Sequence, residues 1–240
     1  MTDNLVVQAA GLTKYYGPQR GLEDLDLEVY AGEVFGFLGP NGAGKTTTIR
    51  LMLDFIRPTR GWVRVLGADP RGQGVAIRRR IGYLPGELRF DGRDRVDQLL
   101  RFLGDARGGV PKKRVTELAE RFELDTTRKI RTLSKGNKQK VGLVQAFMHD
   151  PELLVLDEPA NGLDPAGVYW LRSFLRRFAE QGRTVLLASH MLAEIGQTVD
   201  QVVIINRGRR IASGRIDELT RGGKTLEDTY LELTTVRESS

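Results

Sequence analysis

Gly39-Pro40-Asn41-Gly42-Ala43-Gly44-Lys45-Thr46-Thr47 is the stretch from which the rest of the chain is read. It fits the pattern G-x-x-x-x-G-K-[ST], with Gly39, Gly44, Lys45 and Thr46 at the fixed positions. Just before it, Glu33-Val34-Phe35-Gly36-Phe37-Leu38 is an apolar run of strand length, and residues 46–55 after it have helical composition and spacing. Strand, glycine-rich loop and helix form the context the pattern needs. Glycines at 39, 42 and 44 permit positive φ and remove Cβ atoms, so that amide N–H groups converge on phosphate oxygens. A helix starting near Gly44 turns its unpaired N–H groups and the positive end of its dipole towards the same anion. Lys45 adds a mobile charge able to reach β- and γ-phosphates, and the Thr46 hydroxyl can ligate Mg²⁺. The chemistry converges on a nucleoside triphosphate and, from this loop alone, on nothing narrower.

Composition sets outer bounds. A chain of 240 residues that is 40% hydrophobic can bury a good core, and we read it as one domain with an insertion. The absence of cysteine excludes disulfides and thiolate metal sites. Met1-Thr2-Asp3-Asn4-Leu5 lacks a basic region followed by an apolar core, and no apolar run approaches about 18 residues. A soluble chain is expected, with any membrane role reached through a partner. A formal charge of +6 favours polyanions or the anionic inner face of a membrane, although a solvated arginine-rich surface accounts for it equally well.

Outward from the loop, residues 5–10 and 25–29 read as strands, the second alternating Leu25, Leu27 and Val29 with Asp26 and Glu28 as in an antiparallel sheet with one wet face. Lys14-Tyr15-Tyr16-Gly17 reads as a turn between them; Tyr16 is either a packing residue or a stacking platform for a purine. Residues 57–61 form a turn, 62–66 return as a strand to the same sheet, 67–74 are a polar connection, 75–80 a short helix and 81–84 a buried strand. From 85 to 150 the pattern becomes helical, with Val96, Leu99, Leu100 and Leu103 and then Val115, Leu118, Ala119 and Phe122 at helical spacing, as in an inserted helical subdomain. Strand and helix then alternate: 153–156, 168–181, 184–188, 191–199, 201–205 and 210–213, followed by short helices near 216–221 and 226–233.

Four further motifs follow the loop in order. Leu153-Leu154-Val155-Leu156-Asp157-Glu158 ends a buried strand in two carboxylates, at the edge where open parallel sheets bind ligands. Asp157 is placed to hold Mg²⁺, and Glu158 to accept a proton from an attacking water. Leu133-Ser134-Lys135-Gly136-Asn137-Lys138-Gln139-Lys140 opens a helix with Ser134 at the cap, which is either a second anion site or an ordinary capped helix. Asn161-Gly162-Leu163-Asp164-Pro165 lies just past the carboxylates, and Ala188-Ser189-His190 ends the next strand.

In this order and over essentially the whole chain, the motifs resemble the ATP-binding cassette (ABC) family, specifically the ATPase subunit of a transporter. The resemblance implies an α/β P-loop NTPase core with a parallel sheet, an antiparallel β subdomain at about 1–32 and 60–68, and a helical insertion at about 86–150. It makes 39–47 the Walker A loop, 134–137 the signature motif, 153–158 Walker B and 161–164 the D-loop. ATP and Mg²⁺ are then the expected cofactors. Glu158 and His190 are the expected catalytic pair, Thr46 and Asp157 the metal ligands, and Tyr16 the adenine platform. Gly39, Asn41, Gly42, Gly44, Lys45, Thr46 and Thr47 hold the phosphates, while Ser134, Gly136, Asn137 and Asp164 act in trans on the nucleotide of a second copy.

The resemblance further implies a separate integral-membrane subunit, docked near 85–103 where Arg89, Arg93, Arg95 and Arg101 cluster, a cytoplasmic location on the inner face of the plasma membrane, and no direct nucleic-acid contact. With Leu226-Glu227-Asp228-Thr229-Tyr230-Leu231-Glu232-Leu233-Thr234 near the end, the chain looks most like stand-alone ATPase subunits of bacterial drug, antibiotic or lipid exporters, with little length for a C-terminal regulatory domain. The alternative class is a soluble cassette ATPase acting on nucleic acid or ribosomes. Two departures from the family stand out: Lys135 and Asn137 stand for glycine and glutamine in the signature, and Gly86 stands where a glutamine is usual. At that last position water fills the gap, Glu87 bends in, or turnover is slow.

Overall fold

The strand that feeds the glycine-rich loop, β3 (Val34–Leu38), is buried along its whole length in the computed structural model, which describes residues 4–192 and 196–238. Its neighbours are β5 (Ile81–Leu84), β6 (Leu153–Asp157), β7 (Thr184–Ser189), β8 (Gln201–Asn206) and β9 (Arg209–Arg215), in the order β5-β6-β7-β3-β8-β9. All pairings are parallel except β8 with β9. A strand covered on both faces sends alternate side chains to opposite sides. Phe35, Phe37, Leu153, Val155, Leu186 and Ala188 accordingly enter one hydrophobic cluster, and Val34, Leu38, Leu154, Leu156, Val185 and Leu187 enter another.

The first cluster is closed by helix α1 (Lys45–Met52) and a second, antiparallel sheet of β1 (Leu5–Tyr16), β2 (Gln19–Tyr30) and β4 (Arg60–Val65), in the order β2-β1-β4. Residues 60–65 therefore do rejoin the N-terminal strands. Helix α1 lies between the two sheets, which buries Ile49, Leu51 and Met52. The second cluster is closed by α3 (Val96–Ala106), α4 (Lys112–Arg121), α5 (Lys135–Phe147) and α6 (Pro165–Glu180). Phe147 at the end of α5 is fully buried and stacks on Phe122 and Phe174, so an aromatic column ties the segment after α4 to α5 and α6.

Several boundaries move from their sequence positions for local reasons. Tyr15 and Tyr16 belong to strand β1, and the turn falls on Gly17 and Pro18. Helix α1 stops at Met52 rather than reaching Phe55, because Asp54 takes a left-handed conformation. Helix α2 (Pro70–Arg79) starts five residues before 75, capped by the Asp69 carboxylate and led by proline, and has non-helical geometry at Gln73. Helix α6 likewise begins at Pro165, with Asp164 as its cap. The helix expected over 191–199 falls in part on 193–195, outside the described residues. After β9 come α7 (Ile216–Leu219) and α8 (Leu226–Glu238), the latter longer than the periodicity indicates. No helix among the described residues is long and apolar enough to cross a membrane.

At the far end of α5, His149 Nε2 lies 2.9 Å from Arg107 Nη1, which also donates to the Ile81 carbonyl at 3.2 Å. The same Nε2 lies 3.0 Å from the Ile81 carbonyl, so this nitrogen sits between a group that can only donate and one that can only accept. Burial, reinforced by the Arg107 charge, brings the His149 pKa down to about 4.

Replacing Phe147 with alanine is expected to cost about 3–5 kcal/mol, read from urea denaturation midpoints. His149 gives a pH dependence with a definite sign. Between about pH 4 and its unfolded value near 6.5, the unfolded chain takes up a proton that the fold refuses, so stability falls as pH is lowered across that window. The variant His149→Gln should show a shallower fall than the parent when denaturation is compared at pH 6.5 and 4.5.

Candidate functional site

The loop between β3 and α1 is built around close backbone approaches. Gly39 has φ +155°, and a Cβ there would lie 2.2 Å from the Ile205 carbonyl; Gly44, with φ +113°, caps α1, and a Cβ would meet the Gly21 carbonyl at 2.7 Å. Side chains are thus excluded from both ends of the loop, and α1 starts without a side-chain cap, leaving its first N–H groups for a ligand. Lys45 Nζ donates to the carbonyls of Gly39 at 2.7 Å and Pro40 at 3.3 Å, and lies 3.4 Å from Glu158 Oε1.

Asp157 falls at the end of β6 with the parity of Leu153 and Val155, so it faces α1, where the Thr46 hydroxyl donates to its Oδ2 at 2.7 Å. Burial pushes the Asp157 carboxyl up; the Thr46 hydrogen bond opposes this, and the Glu158 charge adds to it. A hydroxyl and a carboxylate already in contact are oxygen donors of the kind Mg²⁺ takes when phosphates complete its shell, and the residues fit the ion.

Glu158 turns away from the strand in a left-handed conformation, φ +52°, which costs a non-glycine residue roughly 1 kcal/mol or more. The structure holds it there from several sides. Its N–H donates to the Ala188 carbonyl at 2.8 Å, while Oε2 accepts from Ser189 Oγ at 3.2 Å and lies 2.8 Å from His190 Nδ1. Its Oε1 is buried, has no hydrogen bond, and faces Lys45.

Tyr16, Asn41, Gly42, Gly44, Lys45, Thr46, Thr47, Asp157 and Glu158 line one cleft of about 1060 Å³. Gly39 lies beneath it, its carbonyl holding Lys45, and His190 reaches it through Glu158. Tyr16 is 43% exposed at the rim, with Lys14 Nζ 5.3 Å from its ring centre. Ser134, Gly136, Asn137 and Asp164 are not among the residues lining this cleft. Ser134 accepts from the Asn137 N–H at 3.2 Å and Asp164 from the Gly167 N–H at 2.8 Å, so both cap their helices.

Position 86 is crowded rather than vacant. A Cβ on Gly86 would lie 3.2 Å from Asp157 Cγ and Oδ2, and Glu87 is exposed and paired with Arg89 at 3.0 Å. Two residues that motif reading missed share the cleft. Tyr83 lies on the face of β5 that carries Ile81, next to Asp157, and burial together with the Asp157 charge pushes its hydroxyl up to about 12. Arg50 follows Thr46 by one turn of α1 and so comes to the same wall. The strand alternation and helical spacing carry the signal for both. The arginines of 85–103 do not form a basic patch: Arg89, Arg93 and Arg95 pair with Glu87, Asp91 and Asp97, and with Asp94 the acids there match the four arginines in number.

The family model described as ABC transporter matches residues 22–161. This chain belongs to the ABC transporter family. It is an ATP-hydrolysing subunit coupled to transport. Among ABC proteins it is 38% identical to the bacitracin transport ATP-binding protein BcrA of Bacillus licheniformis, over 95% of this chain and 74% of that protein. It is 40% identical to the daunorubicin resistance ATP-binding protein DrrA3 of Streptomyces coeruleorubidus, over 87% and 68% respectively. A solved structure of the ATP binding subunit of an ABC transporter superposes with a TM-score of 0.88 at 32% identity, covering 95% of this chain and 99% of that one.

Because a side chain at 86 presses on Asp157, Gly86→Gln is expected to leave steady-state ATPase activity at or below the parent level. A tenfold rise in turnover would mean that Asp157 yields and that a glutamine restores a missing function.

Proposed function

We propose that this ABC subunit hydrolyses ATP with Glu158 as general base, in a head-to-tail pair of copies that closes on ATP and opens after hydrolysis to drive export. The observation carrying this reading is Glu158 itself, a partly buried carboxylate with one oxygen fixed by Ser189 and His190 and the other buried without a hydrogen bond beside Lys45. Such an oxygen can take a proton from water as it attacks the γ-phosphate, a contribution of about 10²–10⁴ in rate. The products are ADP and phosphate.

In this reading Lys45 leaves the Gly39 and Pro40 carbonyls for phosphate oxygens, and the N–H groups at the start of α1 bind the same charge. Thr46 and Asp157 hold Mg²⁺, which supplies charge neutralisation at the phosphates when bound. Tyr16 stacks on adenine, and His190 steadies the γ-phosphate and the attacking water. Ser134, Gly136, Asn137 and Asp164, which do not line their own chain's cleft, serve the nucleotide of the partner copy. A triphosphate that touches both chains favours the closed pair by its differential affinity for that state. The pair works on a separate membrane subunit from the cytoplasmic face, and export is favoured by the bacitracin and daunorubicin relatives.

The variant Glu158→Gln should retain ATP binding, accumulate as an ATP-dependent dimer on size exclusion, and lose at least a hundredfold in turnover. Normal hydrolysis by that variant would remove Glu158 from its role. With the membrane subunit present, export requires ATP-driven cargo accumulation in inside-out vesicles, abolished by the same substitution.

A further inference from the structure

Gln139 lies five residues beyond the Ser134 cap, inside α5, and is 7% exposed. Its side-chain Nε2 donates to two consecutive carbonyls of the segment after β6, Glu158 O at 3.2 Å and Pro159 O at 3.0 Å. The peptide groups on either side of the Glu158 Cα are therefore pinned separately, with the N–H on Ala188 O and the carbonyl on Gln139. A left-handed non-glycine residue persists only where its surroundings over-determine it, and at Glu158 these two bonds do so. The same helix touches this segment at a second point. A Cβ on Gly136 would lie 2.4 Å from the Gly162 carbonyl, so the first turn of α5 rests directly on the backbone of 158–162.

We infer that Gln139 is a positioning residue that couples the two ATP sites of a pair through a single chain: it ties the backbone of Glu158, which acts on the chain's own nucleotide, to the helix whose Ser134–Gly136 turn engages the partner's. The inference rests on the head-to-tail pairing proposed above. Engagement of the α5 turn by the partner's phosphate moves or stiffens the start of that helix, and the amide transmits the change to the Glu158 peptide. Coupling of this kind is reciprocal, so Glu158 geometry in turn sets how well the turn receives the partner. A bystander amide that only satisfies two buried carbonyls would affect folding stability and nothing across the pair.

The test uses the full chain with Gln139→Met, which keeps length and removes the donors, and Gln139→Glu, which keeps shape; melting curves check that each folds, and the second serves if the first does not. In the Glu158→Gln background, the ATP concentration giving half-maximal dimer by light scattering should rise at least tenfold. Binding of a fluorescent ATP analogue at protein concentrations too low for pairing should stay within twofold. With Glu158 intact, kcat should fall at least tenfold with KM within threefold. Combining Gln139→Met with Ser134→Ala should cost no more than about threefold beyond the worse single variant, because both act along one connection. An unchanged ATP requirement for dimer formation, or single effects that simply multiply, would overturn the coupling while leaving the paired mechanism standing. Failure of the Glu158→Gln chain itself to dimerise with ATP would overturn the pairing and this inference with it.

Discussion

A buried ammonium group organises this molecule. Lys45 is 6% exposed, and a charge so placed must be met by partners, here the Gly39 and Pro40 carbonyls and the Glu158 carboxylate. Meeting it brings together the glycine-rich loop after β3 and the acidic end of β6, two segments more than a hundred residues apart in sequence. The loop can approach because Gly39 and Gly44 pass backbone carbonyls at distances that admit no Cβ. The anion-binding surface is therefore assembled by the protein's own electrostatics and sterics.

The parity of the central strands decides which side each acid serves. Leu153 and Val155 point to the α1 side, and Asp157 follows them to meet Thr46. Glu158 would by alternation point to the opposite side, into the cluster beneath α5 and α6. Its left-handed backbone turns it out of the ladder, and the Ala188, Ser189, His190 and Gln139 contacts hold it there. One strand end thus delivers two adjacent carboxylates to two environments, one tied to a hydroxyl and one to a lysine and a histidine.

Charge works locally in this chain rather than as a field. The formal excess of +6 points to polyanions when counted over the sequence, yet the arginines near α3 are largely matched by acids two residues away. Exposed pairs of this kind contribute little to stability. They do remove the basic patch as an argument for membrane contact, and α3 instead exposes Phe102.

The sequence alone determined the elements and the chemistry of the loop. A glycine pattern flanked by an apolar strand and a helix, an apolar run ending in Asp157 and Glu158, and a capped helix at Ser134 are local features, and local propensity and periodicity encode them. Helix starts at Pro70 and Pro165 are equally local, each a proline behind a capping aspartate, but Gly72, Gly74 and Gly167 interrupt the apolar spacing there. What only the tertiary structure decided is how distant segments meet. Gly86 reads as a missing side chain until its position against Asp157 is known; Tyr83 and Arg50 reach the cleft only through strand register and helix docking. Gln139 looks like one more polar residue of a helix until the fold lays that helix across the Glu158 and Pro159 carbonyls. Contacts of that kind depend on packing between elements, and no spacing within one element contains them.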